Sequence, residues 1–323
     1  LTVSASISQA NIFGSGNQLA FQINNGAVNK VYSVTFIDPY WTIDGIAAGI
    51  DVFRRDVDTS SLSLTAYQTT STGAGVNFGV PITEYDTVRL GLTIENTRLK
   101  LDPLSTPARY LDFVNVFGER TDTLRANVGY SRDTRDSLTY PTRGWLTDLN
   151  LEVGIPPGDL KYYRASAQQQ FLWTPERFGW ITFLANAELG YAEGYGGKTL
   201  PFFKNFYAGG VGSVRGFESA SLGPRDLNGD VIGGNRRVIG NIEFLFPMPG
   251  IKDKSVRLST FVDAGTVWGV GEKASASDIR ASAGIAASWD SPVGPLKFSF
   301  STPFRKLEGD RLERFQFQLG RIF

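Results

Sequence analysis

Ile279-Arg280-Ala281-Ser282-Ala283-Gly284-Ile285-Ala286-Ala287-Ser288-Trp289-Asp290 is two rows of residues woven into one. Ile279, Ala281, Ala283, Ile285, Ala287 and Trp289 are apolar, while Arg280, Ser282, Gly284, Ala286, Ser288 and Asp290 are polar or small. A β-strand sends successive side chains to opposite faces, whereas an α-helix would scatter both rows around its circumference. The stretch therefore reads as a strand with one apolar face. Val88, Leu90, Leu92 and Ile94 alternate in the same way with Arg89, Gly91, Thr93 and Glu95, and Leu296, Phe298 and Phe300 with Lys297, Ser299 and Ser301.

Carried outward along the chain, the period of two predicts about 15 strands. They start near Leu1, Asn17, Lys30, Ile46, Tyr67, Tyr85, Thr123, Trp145, Leu160, Gly179, Asn235, Ser255, Ile279, Pro295 and Glu313. Most run for about the 9 to 11 residues that a tilted membrane strand needs. Turn-forming clusters divide them, such as Phe13-Gly14-Ser15-Gly16 and Pro156-Pro157-Gly158-Asp159, and no segment reads as an interdomain linker. Two gaps are long, residues 100–122 and 194–234. In the first, Ala108, Leu111, Val114 and Phe117 recur at helical spacing and predict a short amphipathic helix. Counting back from a final strand that ends inside, both gaps fall on one side with the loops near residues 54–66 and 304–314, and the short turns fall on the other.

Composition narrows the chemistry. The 323 residues contain no Cys, no His and one Met, with 36 Gly, 23 Phe, 12 Tyr and 6 Trp. Disulfides, thiolate or imidazole metal sites, and Ser-His or Cys-His nucleophiles are excluded. Lys plus Arg equals Asp plus Glu at 32 each, so no net field recruits nucleic acid. Asp133 and Asp136 stand beside Arg132 and Arg135 and read as turn charges rather than a catalytic pair. No Walker-type glycine-lysine loop of the form G-x-x-x-x-G-K-S/T occurs, and the chain is expected to be no enzyme and to need no cofactor.

No apolar run approaches the roughly 18 residues of a membrane helix, but a β-barrel hides its membrane signal in every second residue. The competing architecture is a soluble β-sandwich or solenoid, which rarely needs so many strands of matched length. Tyr40, Trp41, Trp145, Trp173, Trp180, Trp268 and Trp289 lie near predicted strand ends, where membrane girdles occur. The fold class predicted is all-β, a transmembrane antiparallel β-barrel spanning residues 1–323. Single-chain barrels have even strand numbers, so about 16 strands are expected in the full protein, one of them preceding Leu1.

Midway through the second gap lies Val214-Arg215-Gly216-Phe217. A guanidinium held inside a protein requires carboxylates placed to meet its fork of donors. The alternation supplies two: Glu243 between Ile242 and Phe244, and Asp263 between Val262 and Ala264, each on the face opposite its apolar neighbours. An arginine at the constriction of a passive porin would have the same requirement. The C-terminal run Phe315-Gln316-Phe317-Gln318-Leu319-Gly320-Arg321-Ile322-Phe323 alternates aromatic with polar, and Gly320 inside it permits a bend.

Those two stretches carry a resemblance. Phe315 to Phe323 resembles the C-terminal recognition signal of bacterial outer-membrane proteins. Val214 to Phe217 resembles the VRGF loop motif of the POTRA-barrel assembly and two-partner secretion superfamily. Its context extends the match: Asn205-Phe206-Tyr207-Ala208-Gly209-Gly210 and Leu222-Gly223-Pro224 flank it, with Asp38-Pro39-Tyr40-Trp41, Pro141-Thr142-Arg143-Gly144-Trp145, Phe261 to Trp268 and Ser291 to Leu296 elsewhere. Together these are similar to the barrel domain of the BamA family of assembly factors rather than to its secretion relatives.

The resemblance implies assembly and insertion of β-barrel proteins into the bacterial outer membrane. It implies that residues 194–234 form an external loop folded into the lumen, with Arg215 anchored on Glu243 and Asp263. It implies a lateral gate between first and last strands at Phe315, Gln316, Phe317, Gln318, Leu319, Gly320 and Phe323, with periplasmic POTRA repeats upstream. The partners implied are unfolded outer-membrane β-barrel clients, accessory lipoproteins, periplasmic chaperones and outer-membrane lipids including lipopolysaccharide, and no nucleic acid. A two-partner secretion or autotransporter-assembly pore is the alternative within the superfamily, and a passive porin the alternative outside it.

Overall fold

The computed structural model describes residues 3–26, 28–60, 67–101, 106–138, 140–250, 256–269, 271–272, 275–291 and 294–319. Its strands are β1 (Val3–Gln9), β2 (Gln18–Asn25), β3 (Asn29–Asp38), β4 (Ala47–Asp58), β5 (Gln68–Pro81), β6 (Asp86–Lys100), β7 (Arg120–Asp133), β8 (Gly144–Ile155), β9 (Tyr162–Trp173) and β10 (Thr182–Gly194). They continue with β11 (Gly216–Phe217), β12 (Arg236–Pro247), β13 (Val256–Trp268), β14 (Arg280–Ser291), β15 (Gly294–Arg305), β16 (Leu312–Glu313) and β17 (Phe315–Leu319). One helix, α1 (Ala108–Phe117), lies between β6 and β7. A 15-stranded sheet follows chain order from β1 to β10, then β12 to β15 and β17, and β11 pairs with β16 apart from it.

Three expectations need correction. Several strands outrun the membrane minimum, β6 reaching 15 residues, because ladder pairing continues beyond the apolar band into polar ends such as Thr97 to Lys100. The strand expected from Glu313 is two elements: Leu312–Glu313 pairs with the Gly216–Phe217 motif, and the sheet strand starts at Phe315. The helix is present, but its buried residues are Tyr110 and Phe113; of the predicted row, Leu111, Val114 and Phe117 are half-buried and Ala108 is exposed. Aromatic rings bury more area than Ala or Val, and they decide the helix's rotation.

Burial along the sheet is inverted relative to a water-soluble protein. Ile94 is 68% exposed while its neighbour Glu95 is 7% exposed, and Val262 is 46% exposed beside a fully buried Asp263. Along the middle of strands such as β4, β6 and β13 the exposed row is the apolar one, as in a sheet whose outer solvent is lipid. No helix among the described residues is long and apolar enough to cross a membrane.

The chain divides into two compact units. One comprises Leu1–Ser131, Leu149–Ala165 and Ala192–Lys204. Its core is aromatic: Tyr110 stacks on Phe202 with centroids 3.9 Å apart, and Tyr67 meets Phe202 edge-on at 5.2 Å. The other comprises Arg132–Asp148, Ser166–Tyr191 and Asn205–Phe323. Its buried cluster is Ala208, Val214, Phe217, Leu222, Ile239 and Val267, with Leu312 packed against it. In that unit the turn charges are engaged locally. Arg135 donates to Asp133 at 2.9 and 2.7 Å, and Asp136 accepts the Thr142 and Arg143 amides at 2.7 and 3.1 Å.

Candidate functional site

Val214 and Phe217 are wholly buried in the apolar cluster, so the two residues between them are delivered to a fixed place on β12 and β13. Arg215 is 7% exposed. Its Nε donates to Asp263 Oδ2 at 2.6 Å and its Nη2 to Asp263 Oδ1 at 2.7 Å, a bidentate fork on one carboxylate. Asp263 Oδ2 also accepts the Arg215 backbone amide at 3.0 Å. The remaining terminal nitrogen, Nη1, pairs with Glu243 Oε1. Beneath the guanidinium lies the Phe261 ring, with its centroid 3.4 Å from Cζ, in cation–π contact. Burial opposes the charge on Arg215, but the Asp263 hydrogen bonds and the two carboxylate charges outweigh it and hold the group above its ordinary pKa.

The backbone of the motif is held as firmly as the side chain. Gly216 and Phe217 pair with Glu313 and Leu312. Gln316, 3% exposed on β17, accepts the Gly216 amide at 3.2 Å and donates to the Phe217 carbonyl at 2.7 Å. An amide side chain thus reads a strand backbone as another strand would. Gly216 has φ 88°, and a Cβ there would stand 3.1 Å from Pro303 and Ser301, so only glycine lets the loop approach β15 this closely.

Two contributors were not singled out in the sequence. Asn241 donates to the Ser213 carbonyl at 2.7 Å and to Asp263 Oδ1 at 2.9 Å, tying the loop and the carboxylate together. Its signal was available, because it stands two residues before Glu243 and therefore on the same face. Phe261 likewise precedes Asp263 by two.

A further attachment of residues 194–234 lies in the other unit. Lys204 Nζ meets Glu152 Oε1 at 2.7 Å, and Glu152 also receives the Tyr162 hydroxyl and pairs with Arg125 at 3.4 Å. Arg125 reaches Glu95 at 3.5 Å, and Arg164 donates to the Lys204 carbonyl at 3.2 Å.

The C-terminal residues divide by parity. Phe315, Phe317 and Leu319 are exposed, and Gln316 is buried. Ser299 pairs with Gln316, Lys297 with Gln318 and Phe298 with Phe317, whose rings lie 5.0 Å apart. Gln318 lies on the same side of β17 as Gln316. Gly320 and Phe323 fall outside the described residues.

A family model for the Omp85 superfamily domain matches residues 11–323. Over 100% of its length the chain is 39% identical to the outer membrane protein assembly factor BamA of Neisseria meningitidis serogroup B, and it spans 45% of that protein. The crystal structure of BamA from Haemophilus ducreyi lacking POTRA domains 1-3 superimposes with a TM-score of 0.89 at 29% identity, over 98% of this chain and 66% of that one. CdiB from Acinetobacter baumannii shares the fold, with a TM-score of 0.60 at 15% identity over 98% of this chain and 56% of that one. With its antiparallel sheet, its inverted burial and a family match over nearly all of its length, the chain belongs to the Omp85 superfamily and is a β-barrel of the outer membrane rather than an enzyme.

Proposed function

We propose that this chain is the membrane-embedded part of a machine that folds and inserts β-barrel proteins, acting at the edge of its last strand. The support is the hold on Val214 to Phe217 from two directions, β13 through Arg215 and Asp263 and β17 through Gln316. A terminal strand fastened from its buried face keeps its place when its outer edge exchanges partners. An unpaired edge in lipid costs several kcal/mol, which an incoming strand can offset by adding to that edge. The clients are unfolded barrel proteins whose own terminal segments dock at the segment from Phe315 to Phe323. Residues 194–234 are the external loop, folded into the lumen, and Arg215 is its internal anchor on Glu243 and Asp263. Accessory lipoproteins, periplasmic chaperones and lipopolysaccharide are the further partners of this reading, and POTRA repeats its periplasmic extension.

The test uses the full-length protein in liposomes with a urea-unfolded barrel client, folding being followed by heat-modifiable gel mobility. Because residues 1–323 contain no Cys, a disulfide between Gln318→Cys and a cysteine on the first barrel strand locks the edge cleanly. The expected result is arrest of client folding when oxidised and recovery on reduction. Folding at the full rate in the locked protein would sink the gate. Large steady conductance without client folding would favour a passive porin.

A further inference from the structure

We propose that Arg98, Lys100 and Arg120 form a binding site for the phosphates of a phosphorylated glycolipid in the outer leaflet. The exposed row of β6 changes character along its length. Leu90, Leu92 and Ile94 are exposed and apolar, Asn96 is half-buried, and Arg98 and Lys100 continue the same row exposed, while Thr93, Glu95, Thr97 and Leu99 are buried between them. At about 3.4 Å per residue, the cations begin roughly 14 Å beyond Ile94.

The neighbouring strand adds the third charge. Asn96 donates its side-chain amide to Asp122, and the Leu99 amide donates to the Glu119 carbonyl at 2.7 Å. These two contacts set an antiparallel pairing in which Arg98 faces Arg120, which is also exposed. Like charges directly opposite on a sheet are destabilising. Among the described residues, the carboxylates nearest on that side have other engagements: Asp122 with Asn96, Asp159 with the Asp122 amide, Asp56 with Arg54 and Thr70, and Asp58 with Gln68. Two facing guanidiniums with an ammonium two residues on make a strong receptor for an anion that fits their forks, and phosphate does.

The apolar row that leads into the cations identifies the occupant as an amphiphile, its acyl chains along Leu90 to Ile94 and its headgroup at Arg98, Arg120 and Lys100. A cluster of three cations suits a headgroup with more than one phosphate. Assignment to the outer leaflet rests on the reading above that residues 100–122 lie on the external side.

The experiment is native mass spectrometry of the full-length protein released from nanodiscs containing diphosphoryl lipid A, without any client, so that failure of the assembly reading leaves its result standing. Each cation near a membrane surface contributes about fivefold to anion affinity. Lys100→Gln should therefore reduce lipid retention about fivefold, and Arg98→Gln/Arg120→Gln about 25-fold, with heat-modifiable mobility unchanged as the check on folding. Equal retention by the double variant would overturn the proposal. So would equal retention of fully dephosphorylated lipid A, which would mean acyl contact alone, or displacement by millimolar inorganic phosphate, which would mean an anion site without a lipid part. Tighter retention of phosphatidylglycerol than of diphosphoryl lipid A would overturn the leaflet assignment and the glycolipid with it.

Discussion

Residues 194–234 are fastened by two basic side chains that work differently. Arg215 places a planar fork on one carboxylate, a terminal nitrogen on a second and its face on Phe261. Lys204 places one ammonium on Glu152, a carboxylate it shares with Arg125 and Tyr162. The arginine contact is directional and specifies one orientation of the loop. The lysine contact is a point charge that tolerates rotation about its own stem. Redundancy differs as well, because Glu152 keeps two partners without Lys204, whereas Arg215 without Asp263 keeps only Glu243 and the ring. The loop is thus specified at the motif and merely tethered at Lys204.

Asp263→Ala is the strongest way to break that contrast. It leaves a buried guanidinium half-paired and removes acceptors for the Arg215 amide and Asn241. Removing one member of such a pair costs about 3 to 5 kcal/mol. Thermal unfolding followed by gel mobility should show the loss, and limited proteolysis should cut within residues 205–234; unchanged protection would contradict the anchor. Gln316→Leu should follow at about 2 to 3 kcal/mol, since the buried Phe217 carbonyl loses its Gln316 donor and the Gly216 amide, still paired with β16, loses one of its acceptors. Gln316→Glu separates the two bonds, because a carboxylate still accepts from Gly216 but no longer donates to Phe217, and it adds a second negative charge near Glu313. It should be no more stable than Gln316→Leu in the same unfolding assay.

Much of this was legible from the residues because a barrel writes its fold in a period of two. The same parity that marked Ile279 to Asp290 as a strand also put Glu243 and Asp263 on the face that meets Arg215. Three things escaped it. Periodicity says which face a side chain occupies but not what approaches from across the molecule, so Gln316 read as part of a gate strand while its amide holds the motif's backbone. The β11–β16 pair is two residues long on each side, too short for any pattern to register. The most buried face of the helix was missed because the spacing of Ala108, Leu111, Val114 and Phe117 is as regular as that of Tyr110 and Phe113, and aromatic partners distant in the chain, Tyr67, Phe202 and Phe203, break the tie.

Arg215→Lys tests whether direction or charge matters at the motif. The ammonium retains attraction to Asp263 and Glu243 but loses the fork, one carboxylate contact and the flat face on Phe261, at a cost of about 2 kcal/mol. If it unfolds with the wild type, the two attachments are alike and the contrast collapses.

Lys204→Met should be the mildest change, about 1 kcal/mol, because Arg125 and the Tyr162 hydroxyl stay on Glu152 and the methionine stem keeps the packing of the lysine's methylenes. Proteolysis should then open the segment before Asn205 while leaving Val214 to Phe217 protected. Cleavage spreading into the motif would mean that the tether and the anchor act as one unit. Confinement of cleavage to the tether would show that the contacts at the motif, the fork of Arg215 on Asp263 first among them, hold that part of the loop without Lys204.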